Sequence, residues 1–312
     1  MKYSTVSGKK ISKMSLGTVQ FGLHYGIAND VGKPAESQSF DMMDYALKNG
    51  ITSIDTARAY GDSEDIIGRF FKGYDGDKPF VSTKVPPYQN IDDIAGLEKH
   101  IIESVETSLQ CLGLNKVDNI MLHNGVSLTI NGDRTAQIMG DLVKRGYCDM
   151  VGASVYSADE IDKMLTYEQY TVTQIPMSIF DQRLINTGYV DKLAQKGFTV
   201  FVRSVFLQGL FFLEPSKITD PILVEHARPG ILMLHELAEK EGMTIAEMAI
   251  AFLRDYPGVT SLVLGADNVD QVRDNIAYFD APAISEETTH ILKDTFKQVN
   301  IPEIMKVLSR PK

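Results

Sequence analysis

Four side chains capable of acid–base chemistry lie in or just after predicted β-strands: Asp55, Tyr60, Lys84 and His123. Lys84 stands inside the apolar strand segment 80–85, where burial of a lone ammonium costs several kcal/mol unless the charge is paired. Asp55 lies on the preceding predicted strand and is the natural counter-ion. The sequence therefore predicts a buried lysine–carboxylate pair beside a tyrosine and a histidine.

This pairing places a cation beside Tyr60, and a nearby positive charge lowers the pKa of a phenol from its free value of about 10. Such a tyrosine is a proton donor near neutral pH, and His123 on the next strand is expected to donate a hydrogen bond to the same substrate oxygen. The group suits reduction of a carbonyl, but the hydride must come from a cofactor. Each residue alone also has a structural interpretation: Asp55 as a turn cap, Lys84 reaching solvent from a strand end, His123 as a hydrogen-bonded core residue and Tyr60 as ordinary packing.

Short β-branched strands alternate with amphipathic helices, after a predicted hairpin at 3–14 with a Gly8-Lys9 turn. The eight predicted strands are 15–18, 53–56, 80–85, 119–123, 150–155, 172–175, 199–204 and 261–264. The predicted helices are 39–49, 64–71, 96–112, 137–145, 159–165, 190–195, 231–241 and 269–278, with an added C-terminal helix at 285–299. One more helix is predicted to begin at residues 244–247, which have the spacing of a capping box. No linker or low-complexity tract interrupts the pattern, so residues 1–312 are predicted to form one domain.

Eight βα units in one chain favour an α/β fold, the eightfold (β/α) TIM barrel, over a doubly wound sheet. A doubly wound nucleotide-binding sheet has a glycine-rich phosphate turn after its first strand. The corresponding segment here is Gly17-Thr-Val-Gln-Phe-Gly22-Leu-His-Tyr-Gly26, which has neither the G-x-G-x-x-G spacing nor the lysine of a P-loop. Functional residues are then expected at the C-terminal ends of the barrel strands.

Charge and cysteine content narrow the expected partners. The chain has 31 basic and 41 acidic side chains, a formal charge of −10, so nucleic acid is not expected as a partner. The sequence shows no apolar leader and no apolar stretch of about 20 residues, so no membrane association is expected. Cys111 and Cys148 form no C-x-x-C pair and the histidines form no metal-binding spacing, which predicts no metal site and a cytoplasmic location.

The segments around the acid–base residues resemble the aldo-keto reductase superfamily. Its second-strand signature appears as Asp55-Thr-Ala-Arg-Ala-Tyr60-Gly61, its lysine strand as Ser82-Thr-Lys84 and its histidine as Leu122-His123. The resemblance covers nearly the whole chain. It implies a (β/α)8 barrel that binds an extended nicotinamide cofactor, with Tyr60 as general acid, Lys84 lowering the pKa of Tyr60, Asp55 holding Lys84, and His123 orienting the carbonyl.

The same resemblance implies which residues bind the cofactor. They are Gly17, Thr18, Asp55, Ser154, Gln174, Ser204, Phe206, Gln208, Gly209, Leu210, Gly265, Ala266, Asp267, Gln271 and Asn275. Ser154 and Gln174 are implied to contact the nicotinamide carboxamide, 204–210 to form the pyrophosphate loop, and 265–275 to hold the adenosine end. Val155 replaces the asparagine that the family usually has there, which removes one amide contact. Members of the family usually bind NADP(H), which the resemblance therefore favours. Asp267 would repel the 2′-phosphate of that cofactor, so NAD(H) is also a possible cofactor. Arg273 is a cation that could compensate for Asp267.

The chain has no tryptophan, so the substrate wall is expected to come from Phe21, His24, Tyr25, Tyr88 and Phe206. The expected function is that of an NAD(P)H-dependent carbonyl reductase acting on a small-molecule aldehyde or ketone, with alcohol oxidation as the reverse. The alternatives are a cofactor-binding regulatory subunit, as in the potassium-channel β subunits that resemble this family, and a lyase or isomerase using Lys84 as a Schiff base. The physiological substrate and the oligomeric state stay open.

Overall fold

In the computed structural model, which describes residues 1–88, 90 and 93–310, eight parallel strands close into a barrel. An antiparallel hairpin, β1 (Tyr3–Val6) and β2 (Lys9–Ser12), precedes it. The barrel strands are β3 (Met14–Gly17), β4 (Ser53–Asp55), β5 (Phe80–Val85), β6 (Val117–Leu122), β7 (Cys148–Ser154), β8 (Tyr170–Pro176), β9 (Thr199–Arg203) and β10 (Ser261–Leu264). They follow one another around the barrel, and β10 pairs with β3 to close it. The predicted TIM-barrel fold is confirmed, and each predicted strand agrees with the observed one to within two residues at either end.

Helices surround the barrel. They are α1 (Val19–Gly22), α2 (Glu36–Lys48), α3 (Ser63–Gly73), α4 (Ile94–Leu112), α5 (Val126–Thr129), α6 (Gly132–Lys144), α7 (Ala158–Met164), α8 (Arg183–Asn186), α9 (Tyr189–Gln195), α10 (Pro221–His226), α11 (Arg228–Glu241), α12 (Ile245–Arg254), α13 (Val269–Ala277), α14 (Glu286–Phe296) and α15 (Ile301–Leu308). The predicted capping box opens α12: the backbone N–H of Glu247 donates to Thr244 Oγ1 at 3.2 Å, and the backbone N–H of Thr244 donates to Glu247 Oε2 at 2.7 Å.

Two details of the terminal segments differ from the sequence predictions. The hairpin turns at Ser7 and Gly8, with φ of 48° and 79°, rather than at Gly8-Lys9, because a tight hairpin turn needs positive φ at both central residues. The single helix predicted for 285–299 ends at Phe296, and a second helix, α15, follows it. Asn300 caps α15, and Pro302 stands in its first turn. Both are typical of a helix start, which the spacing of apolar residues alone did not reveal.

Apolar side chains fill the barrel beneath the site. Ile11 of the hairpin belongs to a buried cluster with Phe80, Met121 and Phe201 inside the barrel. The interior is thus a packed core and not a pore, as in barrels of this type generally. Buried hydroxyl groups pair with one another deeper in the barrel, where Ser15 Oγ lies 2.8 Å from Ser261 Oγ. Asp55 is the last residue of β4, so its carboxylate belongs to the C-terminal end of the barrel.

Candidate active site

Lys84 and Asp55 form a buried ion pair at the mouth of the barrel. Lys84 Nζ lies 2.8 Å from Asp55 Oδ1 and 2.7 Å from Oδ2, and it donates to the carbonyl oxygen of Thr56 at 3.0 Å. Burial lowers the pKa of Lys84, and the Asp55 carboxylate opposes that effect. With three acceptors around Nζ and no exposed side-chain surface, the lysine is poorly placed to attack a carbonyl, which argues against the Schiff-base alternative.

Gln174, near the end of β8, holds Asp55 from the other side of the barrel. Its Nε2 donates to Asp55 Oδ1 at 2.8 Å. The resemblance implies that this amide contacts the cofactor carboxamide, but here its N–H group serves the ion pair. Asp55 therefore accepts hydrogen bonds from both Lys84 and Gln174, so one network fixes three side chains from three strands.

Tyr60 follows β4 and stands over the lysine, with Lys84 Nζ 5.1 Å from the centre of its ring. Burial raises the pKa of Tyr60 above its usual value, and the Asp55 charge raises it further. The expected net lowering of the Tyr60 pKa is wrong for the chain alone, because burial and the Asp55 carboxylate outweigh any lowering by the nearby Lys84 ammonium. Tyr60 is consequently a protonated hydrogen-bond donor at neutral pH.

His123 directly follows β6, and its backbone N–H donates to the carbonyl oxygen of Val85 at 2.9 Å. Its ring meets the ring of Tyr60 edge-on, with centroids 5.4 Å apart and planes at 76°. Burial first, then the charges of Lys84 and Arg203, lower the pKa of His123 to about 3. The imidazole is therefore neutral at neutral pH and carries one N–H beside the phenol.

The loop after β9 has unusual backbone geometry. Ser204, Leu207 and Gln208 have φ of 62°, 46° and 56°, a left-handed conformation that is uncommon for residues other than glycine. Such conformations persist where the surrounding structure holds them, often at ligand sites. Here Leu207 and Leu210 are fully buried in the core and anchor the loop.

A first cavity, of about 440 Å³, runs beside this loop. Its lining includes most of the implied cofactor residues: Gly17, Thr18, Asp55, Gln174, Ser204, Phe206, Gln208, Gly209, Gly265, Asp267, Gln271 and Asn275. Leu210 and Ala266 are not among the lining residues, because both side chains point into the apolar core. Ser154 lines a second cavity instead.

The first cavity contains polar atoms that the chain does not satisfy, which fits a polar ligand such as a nicotinamide dinucleotide. Gln20 Oε1 is buried without a hydrogen-bond partner, as is Arg203 Nη2. Gly265 lets Gln20 approach closely, since a Cβ on Gly265 would lie 2.3 Å from Gln20 Oε1. The residues present therefore fit the implied cofactor.

Asp267 joins the two loops at the far end of the first cavity. Asn29 Nδ2 donates to Asp267 Oδ1 at 2.9 Å, and Gln271 Nε2 approaches Oδ2 at 3.4 Å. Arg273, the expected compensating cation, is absent from the lining of the cavity. Its Nη1 lies 2.8 Å from Asp270 Oδ1, and its guanidinium lies over the ring of Tyr45.

The second cavity, of about 580 Å³, adjoins the catalytic candidates. It is lined by Val19, His24, Tyr25, Gly26, Ile27, Tyr60, His123, Ser154, Tyr156, Gln174, Arg203, Gln208, Met305, Val307, Leu308, Ser309 and Arg310. His24 and Tyr25 lie in this wall as expected, and burial raises the pKa of Tyr25 to about 12, so the phenol is neutral. The overlooked helix α15 closes another side of the cavity with Met305 and Leu308.

Three proposed wall residues lie elsewhere. Phe21 is completely buried in the core of the fold and reaches neither cavity. Tyr88 donates to Asp93 Oδ2 at 3.0 Å and is absent from the lining of both cavities. Phe206 lines the first cavity rather than the second.

A sequence model of the Aldo/keto reductase family matches residues 13–295. The chain belongs to this family. It is an NAD(P)-dependent oxidoreductase of the aldo-keto reductase type, and members of the family act on carbonyl compounds.

Relatives of this aldo-keto reductase align over most of its length. The L-glyceraldehyde 3-phosphate reductase of Escherichia coli strain K12 is 27% identical over 313 residues, covering 88% of this chain and 86% of that protein. A probable voltage-gated potassium channel subunit beta of Arabidopsis thaliana is 25% identical over 331 residues, covering 96% of both chains. The holo form of an aldo-keto reductase from Bacillus halodurans matches with a TM-score of 0.76 at 22% identity, covering 94% of this chain and 96% of that chain, which supports the barrel fold.

Two site residues of this aldo-keto reductase escaped the sequence reasoning. Arg203 is the last residue of β9. Functional side chains are expected at the C-terminal ends of barrel strands, so this position could have been predicted from the sequence. Tyr156 follows β7, and its ring contacts the Arg203 guanidinium at 4.2 Å from the ring centre.

The described part of this aldo-keto reductase contains no group of three or more His, Cys, Asp or Glu side chains arranged to hold a metal ion. Across those same residues, no helix is both long enough and apolar enough to cross a membrane.

Proposed function

We propose that this aldo-keto reductase reduces a small-molecule aldehyde or ketone by hydride transfer from a nicotinamide cofactor, and oxidises the alcohol in the reverse direction. The single observation that carries the proposal is the network in which Asp55 accepts from Lys84 and Gln174 directly beneath Tyr60. It lies where the two cavities meet, since Tyr60 and Gln174 line both. A cofactor in the first cavity and a carbonyl in the second would therefore share this boundary.

The roles of the chain's own groups follow from their charge states. Tyr60 is protonated, so it donates its hydroxyl proton to the carbonyl oxygen as negative charge develops there. The N–H of neutral His123 hydrogen-bonds the same oxygen. The phenolate left on Tyr60 is costly in a buried site, and the Lys84 ammonium 5.1 Å from the ring stabilises it. When bound, the nicotinamide supplies the hydride to the carbonyl carbon.

The lining of the first cavity supports NADH as the preferred cofactor, although family habit favours NADP(H). Asp267 and Asp274 both line it, whereas Arg203 is the only lysine or arginine in the lining formed by the residues described. A 2′-phosphate is normally held by arginine or lysine, and a carboxylate beside it would repel it. We therefore expect NADH to bind at least as tightly as NADPH.

Replacement of the proton donor tests the proposed reaction. Tyr60→Phe should bind NADH with the wild-type dissociation constant and reduce a generic aldehyde roughly 10² to 10⁴ times more slowly, the usual contribution of general acid catalysis. Tyr189→Phe is the matched control, because Tyr189 is half-buried outside both cavities and donates to Asp162 at 2.6 Å. Retention of more than about a tenth of the wild-type rate, with chemistry limiting turnover, would contradict the role of Tyr60.

A cofactor-binding regulatory subunit is the second candidate. It is favoured by the similarity to a protein named as a probable potassium channel subunit beta. Both candidates predict that NADH or NADPH fluorescence changes on binding. Only the enzyme predicts steady-state turnover of an aldehyde with multiple cofactor equivalents consumed, so turnover separates the two.

A further inference from the structure

Arg203 is a cation at the boundary between the two cavities with little to bind within the chain. Its Nη1 hydrogen-bonds Ser204 Oγ at 3.2 Å, while Nη2 is buried without a hydrogen-bond partner. No carboxylate among residues 1–88, 90 and 93–310 forms an ion pair with it. Arg203 is half-buried, and a partly buried charge without an ionic partner gives little stability, so the arginine is better explained by a ligand than by stability.

The guanidinium of Arg203 makes a cation–π contact with Tyr156, with the guanidinium carbon 4.2 Å from the ring centre. This contact does not satisfy the N–H groups of Nη2, which has no hydrogen-bond partner. A planar pair of N–H donors matches the two oxygens of a carboxylate or phosphate.

The second cavity is lined by arginines and by no aspartate or glutamate of the described chain, although the chain as a whole carries −10. The arginines are Arg203 and Arg310, whereas the His123 imidazole in the same lining is neutral. Arg310 is already paired with Asp220 at 2.6 Å, so Arg203 is the cation left for a ligand. Its charge also acts on the reacting groups, because it lowers the pKa of His123.

We infer that Arg203 binds an anionic group, a carboxylate or phosphate, carried by the carbonyl substrate. The inference rests on the proposed reductase function and narrows its substrate class to anionic aldehydes or ketones. The reacting carbonyl lies at Tyr60 and the anionic group at Arg203, both of which line the second cavity. The same donors also suit the pyrophosphate of a dinucleotide, because Arg203 lines the first cavity too, and the experiment must separate these two sources.

A matched pair of aldehydes tests the inference. 4-Carboxybenzaldehyde and its methyl ester differ in charge, and the difference in their intrinsic carbonyl reactivity cancels when the acid-to-ester ratio of the wild type is compared with that of a variant. The wild type should prefer the acid in kcat/KM by about tenfold or more, and Arg203→Met should remove most of that preference through a higher KM, as expected for loss of a charged hydrogen bond. Arg203→Lys keeps the charge and should retain part of the preference. Arg145→Met is the control, since Arg145 is exposed and precedes β7 at the opposite end of the barrel.

Direct binding separates the sources of the anion and does not depend on turnover. NADH titrations monitored by fluorescence should give equal dissociation constants for the wild type and Arg203→Met, whereas benzoate should bind the NADH-loaded wild type more tightly than the variant. Unequal NADH binding with unchanged benzoate binding would overturn the inference in favour of a cofactor contact. An unchanged acid-to-ester ratio in a folded Arg203→Met, checked by its thermal midpoint, would overturn it as well. Benzoate binding that depends on Arg203, without reduction of any aldehyde, would support the anion site and refute the reductase proposal.

Discussion

Gln174 Nε2 and Asp55 Oδ1 lie 2.8 Å apart although the two residues are 119 positions apart in the chain. The contact makes Gln174 a structural partner of the buried ion pair as well as a lining residue of both cavities. One residue near the end of a barrel strand thus both lines the cavities and holds the buried ion pair.

Gln174→Met should lower the free energy of unfolding by about 1 to 3 kcal/mol, because it removes a hydrogen bond to a buried charge while nearly preserving side-chain volume. Urea denaturation at neutral pH measures the change. Gln195→Met, at an exposed position on α9, is the control and should shift the value by less than about 0.5 kcal/mol. Equal effects of the two substitutions would show that the contact with Asp55 adds no stability.

Lys84→Met should destabilise the fold by roughly 3 to 5 kcal/mol, because it leaves the Asp55 carboxylate buried without its cation. Asp55→Asn in the same chain removes that charge, so the double variant should recover part of the loss. The four unfolding free energies form a double-mutant cycle. Strict additivity of the two single changes would mean that the pair is not coupled.

His123 should make stability depend on pH between about 3 and 6.5. The pKa of His123 is lowered to about 3 in the fold, from 6.5. In that window the unfolded chain binds a proton that the folded chain does not, so the free energy of unfolding rises with pH and falls as the solution is acidified. His123→Gln should show a shallower dependence in urea titrations from pH 4.5 to 7.5. His290→Gln, at an exposed position on α14, should keep the wild-type slope, and a wild-type slope in both variants would contradict the prediction.

Asp267→Arg should raise the ratio of kcat/KM for NADPH over NADH by about tenfold or more, roughly the 1.4 kcal/mol expected of one charged contact. The carboxylate lines the first cavity, so the substitution replaces a repulsive charge by an attractive one. Asp270→Arg makes the same change on an exposed side chain that does not line the cavity and should leave the ratio unaltered. Both ratios must be measured at one ionic strength, since salt screens exposed charges. A ratio that does not move in Asp267→Arg would mean that residue 267 does not approach the ribose.

Local pattern was enough to predict the barrel and the proximity of the Lys84–Asp55 pair to Tyr60 and His123. Strands buried on both faces read as short apolar runs, so Phe80–Val85 could be predicted to the residue, and a lysine within such a run stands out. The requirement that a buried ammonium be paired then pointed to Asp55. These inferences depend on the spacing of apolar residues along the chain and on the energetic cost of burying a charge. Both can be judged from a short stretch of sequence.

Contacts between distant segments required the tertiary structure. The hydrogen bond from Gln174 to Asp55, the pairing of Asn29 with Asp267, and the placement of α15 beside the second cavity all join residues far apart in sequence. The tertiary structure also decides the direction in which the pKa of Tyr60 shifts, because burial of the phenol raises this pKa and a nearby cation lowers it. Spacing along a chain indicates which side chains meet at the mouth of a barrel, but the balance of burial, charge and side-chain orientation there is decided by packing in three dimensions.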